Sequence, residues 1–176
     1  AHLFVNVTAR PGAPLVFAEG GIQELTHVTG AYPLDIDGDG RLDLAVLRVG
    51  YDLLLRGGPG CTFTDASGDW GFHPRDTWTT AFTATWERGQ AFPTLAFGHY
   101  VDRSDPDGPF EACDTSDLYR PAGRRYGMPE IIAPGFCALS MLITDWRRTG
   151  ERELRISNDR QYYVRGGYEQ MFRLDP

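Results

Sequence analysis

Apolar and polar positions alternate over short stretches of this chain, and none of them sustains the i, i+3, i+4 pattern of a long amphipathic helix. The clearest apolar run, Leu44-Ala45-Val46-Leu47, is short, partly β-branched and soon followed by Gly50, which predicts a buried strand. Turn residues bound further short runs around it. They predict strands at 31–34, 44–48, 52–56 and 62–66, the last after Gly57-Gly58-Pro59-Gly60. A similar series recurs near the end, at 137–144, 154–157, 162–165 and 171–174.

The recurrence extends to individual residues. Asp35 to Leu44, followed by Ala-Val-Leu, is echoed by Asp145 to Leu154, followed by Arg-Ile-Ser, at an offset of 110 (145 − 35). Leu54-Leu55-Arg56-Gly57-Gly58 falls beside Tyr163-Val164-Arg165-Gly166-Gly167 at an offset of 109 (165 − 56). A fainter copy lies between, where Thr85-Trp86-Glu87-Arg88-Gly89 leads into Leu95-Ala96-Phe97 in the role of Leu44-Ala45-Val46. Repeats of about 50–60 residues signal stacked or radial units. Four antiparallel strands per unit make a β-propeller blade. The predicted fold class is therefore all-β, a partial propeller of about three four-stranded antiparallel blades at 15–68, 69–136 and 137–176. A ring needs roughly four to eight blades, so the chain is expected to be part of a longer propeller or one completed by other chains.

The loop entering the first long strand, Asp35-Ile36-Asp37-Gly38-Asp39-Gly40-Arg41-Leu42-Asp43-Leu44, places four carboxylates at nearby positions. Two unit charges about 4 Å apart repel by roughly 4 kcal/mol at an effective dielectric near 20, so the grouping is costly without a cation. Calcium takes oxygens from loop positions 1, 3, 5, 7 and 9, here Asp35, Asp37, Asp39, the Arg41 carbonyl and Asp43. Magnesium, which demands near-ideal octahedral geometry, suits such a loop less well. An EF-hand is excluded because its position 12 needs Glu and Val46 stands there. The competing reading is a solvated acidic turn. In the third copy Arg147 and Thr149 replace inner acids, and in the middle copy Glu87 is the obvious oxygen donor. One strong calcium site and two turns of similar shape without metal are expected.

With 17 basic and 24 acidic residues among 176, the net charge of −7 disfavours nucleic acid or an anionic membrane as partner. No apolar run is long enough for a membrane span. The stretch starts at Ala1 and shows no signal segment, which reads as processing or an interior piece. Cys113 and Cys137 flank a Pro/Gly-rich excursion, and Cys61 stands apart. A bridge between the first two closes a loop of about 25 residues and contributes about 3.5 kcal/mol in the chain-entropy model. Free thiols are the alternative. Oxidation would imply export to an extracellular or cell-surface location.

The segment 100–134 breaks the repeat with Asp102, Asp105, Asp107, Asp114 and Asp117 among Pro, Gly and Arg. It reads as a long insertion in the second blade. It is either a binding loop or an excursion pinned by Cys113 and Cys137, with its acids paired to Arg120, Arg124 and Arg125.

Taken together, these residues resemble the FG-GAP family, the calcium-bearing repeats of integrin α-subunit propellers and of proteins similar to cartilage acidic protein. The likeness is most specific at 35–44, with Thr62-Phe63-Thr64-Asp65-Ala66 where the family often carries a similar ending. It implies metal ligation by Asp35, Asp37, Asp39, the Arg41 carbonyl and Asp43, and a propeller that typically closes seven blades. The second and third copies depart from the ligand pattern.

No His-Glu-x-x-His, Gly-x-Ser-x-Gly, phosphate-binding glycine loop or Cys-x-x-Cys occurs. His2, His27, His73 and His99 are scattered and read as surface or hydrogen-bonded residues. Asp105 and Asp107 could serve acid/base chemistry on glycans, but read more simply as solvated acids. The expectation is a non-catalytic extracellular calcium-binding propeller in cell adhesion, surface assembly or binding of a protein or glycan. The alternatives are an accessory glycan-binding domain of a secreted polysaccharide-acting enzyme, and a self-associating surface filament. Trp70, Trp86, Trp146 and Tyr162-Tyr163 are either sugar-stacking platforms or packing between blades.

Overall fold

A computed structural model describes residues 1–159 and 166–174. Every regular element among them is a strand. In chain order these are β1 (Phe4–Asn6), β2 (Phe17–Glu19), β3 (Val28–Leu34), β4 (Asp43–Tyr51), β5 (Leu53–Gly58), β6 (Thr62–Asp65) and β7 (Asp76–Thr85). They continue with β8 (Thr94–His99), β9 (Ser116–Tyr119), β10 (Glu130–Ile132), β11 (Ala138–Thr144), β12 (Glu153–Asn158) and β13 (Gln170–Arg173). All pairings are antiparallel. No helix of the described residues is long and apolar enough to cross a membrane.

Two four-stranded meanders follow one another, β3-β4-β5-β6 and β7-β8-β9-β10. The far end of β4 also pairs with β7 through Val49↔Trp78, Gly50↔Thr77 and Tyr51↔Asp76, which joins both meanders into one eight-stranded sheet. A separate sheet has the order β11-β12-β13, and β1-β2 form a hairpin. The described residues form no closed ring.

Alternation along β7 and β8 explains how the units stack. Phe82, Leu95 and Phe97 face Ile36, Ala45, Leu47 and Leu54 of the first meander, with Trp70, Phe72, Tyr119 and Tyr126 filling the space between. The intervening residues Ala81 and Ala96 face Ala138, Met141, Leu154 and Ile156 of the third sheet. Being buried on both faces, β8 has no exposed residue. The outer face of the first meander is covered by its own N-terminal segment, where Leu25 meets Val46 and Leu55.

The repeat read from the sequence reappears in the register. Leu34↔Asp43, Thr85↔Thr94 and Thr144↔Glu153 are equivalent pairs at offsets of 51 (94 − 43) and 110 (153 − 43). Each hairpin has its irregularity at the same place, between Val28 and Gly30, Thr79 and Ala81, and Ala138 and Ser140. The skipped residues of the first two units also make equivalent bonds. Thr29 Oγ1 donates to the Thr79 carbonyl at 2.5 Å, and Thr80 Oγ1 donates to the Ala138 carbonyl at 2.5 Å. The same contact thus relates the first unit to the second and the second to the third.

Three expectations change. The stretch 100–134 is not one insertion, because β9 and β10 lie within it and complete the second meander. Its acids do not pair as expected either: Arg75 contacts Asp114 at 3.2 Å and Asp117 at 2.9 Å, whereas Arg120 serves Glu87 and Glu130. In the third unit, Met171 and Phe172 do not form an outer strand but pair directly with β12, through Leu154↔Phe172. The expected strand at 162–165 lies outside the described residues. Cys113 and Cys137 form a disulfide, tying the excursion to the start of β11, while Cys61 is free and exposed.

Candidate metal centre

The turn between β3 and β4 is organised by a single carboxylate. Asp35 accepts the amides of Gly38 at 2.9 Å, Asp39 at 3.1 Å and Gly40 at 3.0 Å. Gly38 has φ 73°, a left-handed conformation in which a β-carbon is disfavoured, and this lets the chain curl around Asp35. Asp37 accepts the Asp39 amide at 3.2 Å, and Asp39 accepts the Arg41 amide at 2.8 Å. The result brings carboxylate oxygens of Asp35, Asp37 and Asp39 within 4.8 Å of one another.

Three guanidiniums stand around this group. Arg41 contacts Asp39 at 3.0 Å, Arg56 from β5 contacts Asp37 at 3.2 Å, and Arg124 donates to the Asp37 carbonyl. The Arg41 amide, aided by its side chain, holds the Asp39 carboxyl below the usual carboxylate range. Sequence reasoning missed Arg56 and Arg124. The recurrence of Arg-Gly-Gly at 56–58 and 165–167 marked Arg56, whereas nothing local marked Arg124.

Asp43 is placed differently from the other three acids. It is fully buried, and its two oxygens accept the Ile36 and Gly57 amides, each at 2.8 Å. Burial pushes its carboxyl up, against the lowering effect of those amides. Asp43 thereby fixes both ends of the turn to the sheet. The three grouped acids offer hard carboxylate oxygens from one short turn, a donor set that fits hard cations rather than metals that prefer nitrogen or sulfur.

Comparison with known proteins finds no family model that matches this chain and no curated protein that matches it. The resemblance to FG-GAP repeats therefore rests on the residues of the acidic turn and the repeated pattern alone.

The other two turns keep the shape of the first. Arg148 and Gly89, at the positions equivalent to Gly38, have φ 56° and 81°. Asp145 accepts the Thr149 amide at 2.9 Å and the Gly150 amide at 2.8 Å, as Asp35 does with Asp39 and Gly40. Arg147, standing where Asp37 stands in the first unit, forms an ion pair with Glu153. A cation from the chain thus pairs with the acid at the far end of the third turn. In the middle turn, Glu87 accepts the Thr94 hydroxyl at 2.6 Å and meets Arg120 at 3.5 Å.

Among the tryptophans, Trp70 is buried and meets Phe92 edge-on at 5.8 Å, so it is a packing residue. Trp86 and Trp146 are exposed. His99 is buried, with Nδ1 3.0 Å from the Thr79 hydroxyl, in a polar cluster that includes Asp52, Asp117 and Arg75.

Proposed function

We propose that this chain is a non-catalytic, exported binding module of FG-GAP type, built of propeller blades and stabilised by calcium at the first acidic turn. The grouping of Asp35, Asp37 and Asp39 within one turn of a thrice-repeated hairpin carries the reading. When bound, calcium supplies the divalent charge that offsets the mutual repulsion of these acids. Asp35 orders the turn backbone, Asp37 and Asp39 face the same space, and the Arg41 carbonyl holds the remaining inner position of the ligand pattern. Asp43, buried with both oxygens taken by backbone amides, stands outside the grouped acids and ties the turn to β5.

The repeated threonine contact supports the blade reading, because applying one step twice generates a radial or helical stack rather than a closed sandwich. Leu139 takes the place of Thr29 and Thr80 in the third unit and is exposed, as are Leu142 and Met171 on the same sheet. In a longer stack this surface would meet the next blade. The disulfide suits an oxidising, extracellular setting. Rigid blades would then display turns for adhesion or for binding a protein or glycan.

Thermal unfolding in calcium and in EGTA tests the metal assignment. Calcium at about 100 times its Kd stabilises by about 2.7 kcal/mol, or a rise of about 5–10 °C for a chain of this size. Asp37→Ala and Asp39→Ala should each erase most of that rise. Equal rises in parent and variants would refute the assignment.

A further inference from the structure

The second and third turns enclose a groove of about 550 Å³ lined by Trp86, Glu87, Arg88, Arg152, Arg173 and Leu174, among others. Its charge is unlike that of the whole chain, which is −7. Arg88 and Arg173 are exposed and have no acidic partner among the described residues. Arg152 donates to the Trp86 carbonyl at 2.7 Å and has no acidic partner among the described residues. The acids of the groove are engaged from outside. Glu87 is bound by Thr94 and Arg120, and Glu151 lies 4.0 Å from Arg147.

The repeat explains the surplus. Leu55, Tyr119 and Phe172 are equivalent residues, paired with Leu44, Leu95 and Leu154, and each is followed by arginine. Arg56 reaches Asp37 in the first turn, and Arg120 reaches Glu87 in the second. In the third, the residues equivalent to Asp37 and Glu87 are Arg147 and Trp146, neither of them an acid, and Arg147 pairs with Glu153. Arg173 therefore loses the acid that its counterparts use and is left facing the groove.

Beside these guanidiniums, Trp86 exposes 42 % of its surface. Guanidiniums bind carboxylates and sulfates in a bidentate manner, and an indole offers an apolar face with low conformational cost. We infer that the groove between the second and third turns binds an acidic saccharide, with a pyranose ring on Trp86 and its carboxylate or sulfate on Arg88, Arg152 and Arg173. The assignment rests on the binding-module reading above but not on the bound metal.

Calorimetric titration of the full chain tests it with tetragalacturonate, a sulfated chondroitin tetrasaccharide, cellotetraose and inorganic sulfate. At least one acidic tetrasaccharide should bind; binding of tetragalacturonate shows that a carboxylate suffices, and binding of the chondroitin tetrasaccharide alone, which carries carboxylates as well, points to its sulfate. Cellotetraose and sulfate should bind at least about tenfold more weakly, because each lacks one of the two elements recognised. Arg88→Ala, Arg173→Ala and Trp86→Ala should each weaken the acidic ligand about tenfold or more. These positions are exposed, so melting temperatures should stay near that of the parent. Arg173→Lys should recover only part of the loss, since lysine keeps the charge without the fork. Absence of binding to both acidic probes, equal binding of cellotetraose, or parent-like affinity in the alanine variants would overturn the inference. A calcium-induced rise in melting temperature without saccharide binding would remove the groove assignment alone. Saccharide binding without a calcium effect would remove the metal assignment alone.

Discussion

Asp43 accepts the backbone amide of Gly57 at 2.8 Å, and this bond places β5 directly beneath the acidic turn. The approach is so close that a β-carbon on Gly57 would lie 2.1 Å from the Leu42 carbonyl oxygen. Gly57→Ala should therefore destabilise the chain by more than about 2 kcal/mol, because backbone rather than a flexible side chain must yield. Gly68, with open space around its Cβ position and an ordinary φ, serves as the glycine control. Urea unfolding of both alanine variants measures the difference, and similar losses at the two sites would contradict the contact.

The same carboxylate separates a structural role from a ligand role. Asp43→Asn keeps an acceptor for only one of the Ile36 and Gly57 amides and turns an NH₂ group toward the other. Leaving a buried amide unsatisfied costs about 1–3 kcal/mol. The loss should appear equally in EGTA and in calcium. Asp37→Ala removes a pair between a buried carboxylate and the part-exposed Arg56, worth on the order of 1 kcal/mol, and any further loss should appear only in calcium. Denaturant midpoints for both variants in the two buffers give the comparison.

A second buried carboxylate predicts the pH dependence. Asp52 accepts the Thr79 hydroxyl at 2.7 Å and the Arg48 amide at 2.7 Å, and Thr79 in turn meets His99 Nδ1 at 3.0 Å. His99 Nε2 stands 3.2 Å from Asp117, itself bound by Arg75. Burial pushes the Asp52 carboxyl up to about 6, outweighing the lowering influence of Thr79 and His99. A folded-state value above the unfolded one means that the native state holds the proton more tightly. The corresponding stability is fully present below about pH 4 and is lost as the pH rises through about 6. Its size is on the order of 3 kcal/mol. Asp52→Asn mimics the protonated form, since its amide can donate to Thr79 and its oxygen can accept from Arg48. The variant should gain on the parent between pH 4 and pH 7 in urea unfolding. A stability difference that does not change with pH would count against the assignment.

The hairpins were legible because two signals agreed, the apolar run at 44–47 and its copies at fixed offsets, and the register reproduces both offsets. Asp35, Asp37 and Asp39 were legible as a group because one short turn contains all three. What the sequence hid depends on contacts distant along the chain. Arg124 reaches the acidic turn from the second meander, 87 residues away from Asp37. Arg75 claims Asp114 and Asp117 across about 40 residues, where local spacing had suggested Arg120, Arg124 and Arg125. In the third unit Phe172 stands opposite Leu154 as Leu55 stands opposite Leu44, while most of the stretch 163–167 that resembles 54–58 lies outside the described residues.

The third turn offers a test by gain rather than loss. Its backbone already resembles the first, with Gly150 at φ 85° beside Gly40 at φ 83°, and Asp145 already accepts the equivalents of two of the three amides that Asp35 accepts in the first turn. It lacks acids at the positions of Asp37 and Asp39, where Arg147 and Thr149 stand. Arg148 occupies the left-handed position of Gly38, a conformation that costs an ordinary residue about 1–2 kcal/mol. The triple substitution Arg147→Asp, Arg148→Gly and Thr149→Asp restores both acids and relieves that strain, at the expense of the Arg147–Glu153 pair. Without calcium, the crowded carboxylates should make the variant less stable than the parent. With calcium, it should bind one more equivalent than the parent in calorimetric titration and recover the lost stability. Unchanged stoichiometry in a folded variant would show that three acids on this turn do not suffice, and would weaken the same assignment for Asp35, Asp37 and Asp39.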